Sequence, residues 1–266
     1  MKTLQEVVKM QDWQLPKFEI TEFRKKGSKY CVCIPVKNEG QNIQKQLRKM
    51  KKYSLLADII VADWGSKDSS LNTNFLKKQN LRALLMKKSG GKQSTQLRMA
   101  FAYALKQGYA GIIQIDGNNK DGVGAIPIFV KALDNGYDYV QGSRFIRGGK
   151  SKNTPLKRWF GIRFVTSPIL SFASGYWYTD VTNGFRAYSR KYLLHPKVRP
   201  FRNEFVNYSL NFYLCVRANQ LGLKTKEIPV TRTYPKGSVP TKISGVGAEL
   251  TLFFEVVKTA FGLYHI

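Results

Sequence analysis

Apolar residues fall into short continuous runs that alternate with longer stretches where they recur every three or four positions. Tyr30-Cys-Val-Cys-Ile-Pro-Val36 is such a run and predicts a buried strand. Ile43, Leu47 and Met50 then give helical spacing from Gly40 to Lys52. Ala57–Asp63 predicts a second strand, Leu71–Lys78 a short helix and Leu81–Met86 a third strand. Gly91–Gln107 follows as a helix, with Leu97, Ala100, Phe101, Ala104 and Leu105 on one face. Ala110–Asp116 predicts a strand, Val123–Asn135 a helix and Tyr137–Gln141 a strand. Strands alternating with helices imply an α/β fold with a mainly parallel sheet flanked by helices.

The second half is less regular. Arg144–Pro155 is rich in Gly, Lys and Ser and is expected to be a mobile loop. Leu156–Tyr178 is apolar and aromatic, broken by Pro168 and Gly175. Asn203–Leu221 predicts a helix, Lys226–Val230 a strand and Thr231–Gly245 a flexible basic loop. Val246–Ile266 predicts an amphipathic helix with Leu250, Phe253, Phe254, Val257 and Phe261 on its apolar face. The expected division is a leader over 1–27, a catalytic domain over 28–245 and a C-terminal helix over 246–266.

Charge narrows the choice of partner. Lys and Arg number 44 against 17 Asp and Glu, so the 266-residue chain carries +27. Such an excess implies an anionic partner: nucleic acid, phospholipid head groups or a phosphorylated substrate. The charge is spread along the chain and no nucleic-acid-binding signature accompanies it, so nucleic acid is not the expected partner. Three cysteines and two histidines exclude a disulfide scaffold and a histidine-rich metal site. No window approaches 18 clean apolar residues, so no spanning helix is expected.

The candidate chemistry lies in the loops after the strands, where parallel sheets carry their ligands. Pro35–Glu39, Asp63–Asp68, Asp116–Asp121 and Gly142–Arg147 should converge on one edge of the sheet. Asp116-Gly-Asn118 is the pivot, because a strand-end carboxylate with an oxygen ligand two residues on can hold a hard divalent cation against a diphosphate. The same tripeptide also makes an ordinary turn. A second strand-end carboxylate, Asp63, stands at the analogous place two strands earlier. Asn38 and Glu39 suit either a nucleotide's base and ribose or a helix cap. Gly90-Gly-Lys-Gln-Ser94 lacks the phosphate-loop spacing, and no Gly-x-Gly-x-x-Gly follows the first strand.

Several motifs stand in order: Ile34-Pro-Val-Lys-Asn-Glu39, Val61-Ala-Asp-Trp-Gly-Ser-Lys-Asp68, Gly91-Lys92, Ile115-Asp-Gly-Asn-Asn-Lys120, Val140-Gln-Gly-Ser-Arg144 and Thr182-Asn-Gly-Phe-Arg186. Over roughly Ser28 to Gly245 the chain resembles the family 2 glycosyltransferases. Within them it is similar to the polyprenyl-phosphate branch, typified by dolichyl-phosphate mannose synthase. The resemblance implies a GT-A fold, a nucleotide-sugar donor and usually Mg²⁺ or Mn²⁺. By that resemblance Pro35, Val36, Asn38, Glu39, Asp63, Gly65, Ser66, Lys92, Asp116, Gly117, Asn118 and Ser143 would bind the nucleotide-sugar. Asp116 and Asn118 would hold the metal. Lys120, Arg144, Arg232, Lys236 and Lys242 would face the diphosphate or the acceptor. Asp116, Asp180, Arg144 and Arg186 would be catalytic; if the acceptor is a hydroxyl, Asp180 and Glu204 are the candidate bases, with Asp180 fitting the motif better.

The chain also departs from the pattern. Trp64 stands where the family has a second Asp, Asn118 replaces the second acid of the metal pair, and Lys120 stands where Gln is common. One negative charge is lost and a positive one gained, which weakens a metal site. Lys120 could stand in for part of the ion's charge, or Asp121 supply the missing carboxylate.

The expected reaction is an inverting sugar transfer to a lipid-linked or glycan acceptor, in surface-polysaccharide or glycoconjugate assembly. The alternative within this family is a synthase in which a polyprenyl phosphate is itself the nucleophile. A nucleotidyltransferase or a nucleic-acid-binding module is the alternative of another class. Trp159, Phe160, Phe164, Phe172, Tyr176, Trp177 and Tyr178 with Lys157, Arg158 and Arg163 suit an anionic membrane surface. The expected location is therefore cytoplasmic, peripheral on the inner face of the membrane, with self-association left open.

Overall fold

A computed structural model of the chain describes residues 12–235, 237 and 245–265. The strands are β1 (Phe18–Glu22), β2 (Tyr30–Val36), β3 (Ala57–Asp63), β4 (Ala83–Lys87), β5 (Gly111–Gln114), β6 (Tyr139–Ser143), β7 (Lys150–Lys152), β8 (Arg186–Ser189), β9 (Thr225–Pro229) and β10 (Thr231–Thr233). The helices are α1 (Gln41–Met50), α2 (Thr73–Lys78), α3 (Gln93–Lys106), α4 (Ile126–Asp134), α5 (Leu156–Phe160), α6 (Ser167–Ser174), α7 (Arg190–Leu193), α8 (Ser209–Gln220) and α9 (Val246–Ala260).

Eight of the described strands form one sheet in the order β1-β4-β3-β2-β5-β8-β6-β9. β4, β3, β2 and β5 are parallel neighbours, as the alternation with helices predicts. The period of two divides their side chains between two cores. Cys31 and Cys33 of β2 face the layer of α3 and α8, while Val32, Ile34 and Val36 face the layer of α1 and α4. Both helix layers are therefore required, and β2 has no polar face to expose.

The sequence pattern missed two strands of this sheet. β8 lies antiparallel between β5 and β6 and starts at Arg186, the last residue of the Gly-Phe-Arg motif. Its four residues are too short for periodicity to show. β1 comes from the segment expected as a leader and pairs antiparallel with β4 at the edge. The Arg82–Glu22 and Lys88–Glu19 ion pairs help to hold it.

The two segments expected to be loose are partly ordered. β7, within Arg144–Pro155, pairs in parallel with β10, within Thr231–Gly245. Lys236 and Lys242 lie outside the described residues. Helix α3 is buried nearly all round rather than on one face, because α8 covers the side turned away from the sheet. Helix α9 departs further from its pattern. It buries Glu255, Val256 and Thr259, and leaves Leu250, Phe253 and Phe254 exposed. Its most apolar stripe thus faces outward.

Candidate active site

The loops that follow β2, β3, β5 and β6 meet at one edge of the sheet. Val36 pairs with Asp63, and β5 runs on the other side of β2, so Asp63 and Asp116 end neighbouring tracks with one strand between them. Two glutamines brace this edge. Gln96 donates to the carbonyls of Val36 and Ala62 at 2.8 and 2.9 Å, tying the ends of β2 and β3 together. Gln46 donates to the Asp116 carbonyl at 2.9 Å and accepts from the Asn119 amide at 2.7 Å. Neither glutamine stands out in the sequence, since each lies on a helix face otherwise given to packing.

Asp63 is 2% exposed and accepts from the Ser66 amide at 2.8 Å and the Ser66 hydroxyl at 2.5 Å. Ser66 Oγ in turn accepts from the Asn38 amide at 2.9 Å, and Asn38 Oδ1 accepts from the Lys67 amide at 2.9 Å. Asp63, Ser66 and Asn38 therefore form a latch between the turns after β2 and β3, with Gly65 exposed at its tip. Pro35 and Val36 are buried beneath it, while Glu39 is half-buried and Lys92 exposed. Trp64, in place of an acid, lies between two lysines. Lys37 Nζ is 3.5 Å and Lys87 Nζ 4.2 Å from its ring centroid. Burial, helped by Lys37 and Arg98, lowers the Lys87 ammonium to about 8.

Asp116 is the partly open carboxylate of the site, its side chain 19% exposed. A Cβ on Gly184 would lie 2.6 Å from its Oδ1, so only glycine permits this approach. Gly117 packs just as closely on β2: its Cβ would meet Val36 Cγ2 at 2.9 Å. Asp116 accepts from Gln93 Nε2 at 3.2 Å and from Arg232 Nη2 at 3.3 Å. The other end of the Arg232 guanidinium is ion-paired with buried Asp121. Asp121, a possible substitute metal acid from sequence, is thus the partner of Arg232. Burial raises its carboxyl, although Arg232 opposes this. Asn118 Oδ1 accepts from the Lys120 amide at 3.2 Å.

A knot of cations surrounds buried Tyr234, which the sequence did not single out. Lys120 Nζ, Arg158 Cζ and Arg232 Cζ lie 5.3, 5.5 and 5.6 Å from its ring centroid. Arg144 and Arg158 also direct Nη1 at its hydroxyl, at 3.2 and 3.5 Å. Burial raises the Tyr234 phenol, but Arg232, Arg144 and Arg158 outweigh it and bring the group below its ordinary value. Burial, aided by Arg232, lowers the Lys120 ammonium.

Four expected site residues are closed off. Arg144 and Asp180 form a buried two-pronged pair at 2.6 and 2.7 Å. That uses both Asp180 oxygens, and Asp180 is 0% exposed. Ser143 Oγ, also 0% exposed, bonds the Thr179 hydroxyl at 2.5 Å and accepts from the Phe145 amide at 3.1 Å. Arg186, expected to be catalytic, is instead enclosed beneath the site. Its guanidinium donates to the carbonyls of Val181, Asn183 and Asn211.

These residues do not suit the divalent cation expected at Asp116 and Asn118. Among the described residues no cluster of three His, Cys, Asp or Glu side chains converges. Asp116 already engages a guanidinium, and Asn118 contributes a neutral oxygen. Two unit charges about 4 Å apart interact by about 4 kcal/mol at an effective dielectric near 20, so a divalent ion that close to Arg232 would be opposed by about twice that.

The strand ends thus set the partly open Asp116 carboxylate beside a cluster of cations, a charge pattern that suits an anionic ligand. Comparison with solved structures gives the fold its class. Glucosyl-3-phosphoglycerate synthase from Mycobacterium tuberculosis, in complex with Mn²⁺, uridine diphosphate and phosphoglyceric acid, superposes with a TM-score of 0.64 at 17% identity. The match covers 88% of this chain and 77% of that one, and the shared fold is GT-A. Residues 31–195 match the model of glycosyl transferase family 2, and the chain belongs to that family. Among its relatives, the polyprenol monophosphomannose synthase of Mycolicibacterium smegmatis is 25% identical over 84% of this chain and 83% of its own length. The undecaprenyl-phosphate mannosyltransferase of Micrococcus luteus is 24% identical over 74% of this chain and 81% of its own. The protein is a glycosyltransferase, and the nucleotidyltransferase and nucleic-acid-binding alternatives give way to that finding.

Proposed function

We propose that this glycosyltransferase moves a sugar from a nucleotide-diphosphate sugar to the phosphate of a polyprenyl lipid at an anionic membrane surface. One observation carries the reading. Helix α5 places Arg158 against Tyr234 in the cation cluster, while its neighbours Trp159 and Phe160 are 36% and 56% exposed. A phosphate on a long apolar tail finds a cationic seat and an apolar surface on one five-residue helix. Lys157 of the same helix is ion-paired with Glu249 of α9 at 2.8 Å, which brings exposed Leu250, Phe253 and Phe254 alongside. Among the described residues no helix is long and apolar enough to cross a membrane, so contact would be lateral. The names of the two mannosyltransferase relatives point the same way.

The enclosure of Asp180 favours a lipid phosphate over a sugar hydroxyl as acceptor. A hydroxyl needs a base to take its proton, whereas a phosphate monoester is already ionised at neutral pH. A phosphate oxygen attacks the anomeric carbon from the face opposite the leaving group. The bond from that carbon to the diphosphate oxygen breaks, and its electron pair leaves with the nucleoside diphosphate. The anomeric centre inverts. Lys120 and Arg232 stand where they can neutralise the departing charge, which is the dominant electrostatic task in such a displacement.

The test is transfer of labelled sugar from GDP- and UDP-sugars to vesicles containing polyprenyl phosphate. Label in the organic phase, dependent on the lipid phosphate and matched by nucleoside diphosphate release, is the expected result. Transfer only to glycan hydroxyls, with the lipid phosphate inert, would overturn the reading in favour of glycan extension.

A further inference from the structure

We infer that the Arg232 guanidinium is the resident counter-cation of the diphosphate site, filling the electrostatic place of a divalent ion. The inference rests on the nucleotide-sugar reading above and adds how this chain manages the donor's charge.

Position carries the first part of the argument. Arg232 bridges Asp121 and Asp116, the latter at 3.3 Å, and so takes up the acid that a metal would need. Its side chain is 9% exposed, and that of Asp121 0%. The bridge is thus built into the interior and differs from a surface ion pair. One carboxylate oxygen of Asp121, Oδ1, has no hydrogen-bond partner, so the guanidinium is the charge that balances this buried acid.

Rigidity carries the second part. The Thr231 carbonyl accepts from the Gly122 amide at 2.8 Å, and the Thr233 amide donates to the Lys120 carbonyl at 2.8 Å. On its other side, β10 pairs with β7 through Thr231, Arg232 and Thr233. The backbone of Arg232 is therefore clamped from both sides, next to the Asp116–Asp121 turn. A cation that must be present at every turnover is well placed on such a support, because it needs no reorganisation when the diphosphate arrives. Arginine also presents a planar fork that meets phosphate oxygens in pairs.

Composition of the turn carries the third. The turn itself offers Asn118, a neutral oxygen, and Lys120, a cation, where a divalent ion would need negative charge. Both are the composition expected where a fixed guanidinium fills the ion's place.

The deciding experiment measures binding rather than turnover. GDP and UDP are titrated into the wild-type protein by calorimetry in EDTA and again in Mn²⁺, and Mn²⁺ alone is titrated with detection by electron paramagnetic resonance. The expected result is nucleotide binding of equal strength in both buffers and no stoichiometric Mn²⁺ site on the free protein. Arg232→Ala should weaken nucleotide binding in EDTA by about 10- to 100-fold, the loss of one charge-assisted contact. It should also gain Mn²⁺ binding as Asp116 and Asp121 are released. Nucleotide binding by the wild type only in Mn²⁺, or a Mn²⁺ site on the free wild type, overturns the inference and leaves the glycosyl-transfer reading intact. Absence of nucleotide binding in both buffers overturns that reading and this inference with it. The wild-type titrations decide the matter even if Arg232→Ala does not fold.

Discussion

Arg144 and Asp180 meet as a two-pronged pair, with Nε and Nη2 of the guanidinium 2.6 and 2.7 Å from the two carboxylate oxygens and the Arg144 amide adding a third bond at 3.1 Å. The pair joins the end of β6 to the turn that leads into β8. Both side chains are essentially without solvent, so each charge depends on the other.

Breaking that pair should cost stability before it costs chemistry. Asp180→Asn leaves a buried guanidinium unbalanced, which typically costs about 3–5 kcal/mol. Urea denaturation should show a loss of that order. A variant that melts like the wild type but has lost only kcat would instead make Asp180 a base.

Arg186 leads to a related expectation from a different cause. Its guanidinium satisfies three buried main-chain carbonyls. Arg186→Met should lose at least about 3 kcal/mol, since each of the three buried acceptors left unpaired costs roughly 1–3 kcal/mol. Calorimetry on the folded fraction should show unchanged nucleotide affinity. A large drop in affinity at wild-type stability would return Arg186 to the cleft.

Glu227 gives a pH dependence. Burial raises its carboxyl from 4.5 to about 7, against the Thr179 and Asp180 hydrogen bonds that favour ionisation. The folded state thus holds a proton that the unfolded state gives up at lower pH. This contribution to stability is fully present below about pH 4.5 and is lost as pH rises to about 7. Thermal melts across that window should fall more steeply for the wild type than for Glu227→Gln. Parallel curves for the two proteins would count against the assignment.

The outward apolar stripe should show in vesicle binding. Phe160, Phe164 and Phe254 are 56%, 58% and 57% exposed beside Lys157 and Arg163. Burying one such ring contributes about 1.5–3 kcal/mol, and each nearby basic residue about 1 kcal/mol on anionic lipid. Co-sedimentation with phosphatidylglycerol vesicles should fall about tenfold or more for Phe160→Ser with Phe254→Ser. It should also weaken in 1 M salt, where the Debye length is about 3 Å. Equal binding to neutral and anionic vesicles would remove the electrostatic part of this reading.

Periodicity and composition determined much of this protein. The runs at β2, β3, β4 and β5 are apolar on both faces, and only a sheet covered on both sides satisfies them. Strand ends therefore marked Asp63 and Asp116 as site candidates, and the charge excess called for an anionic partner. The tertiary structure alone decided what the polar side chains do. Asp121 and Arg232 stand 111 positions apart, and their pairing follows from a three-residue strand too short to leave a pattern. Tyr234, Gln46 and Gln96 owe their places to contacts of the same kind. Local spacing encodes which face of an element is apolar, because that face is chosen by neighbours three or four residues away. It does not encode which charges meet, because that is fixed by loops crossing from distant parts of the chain.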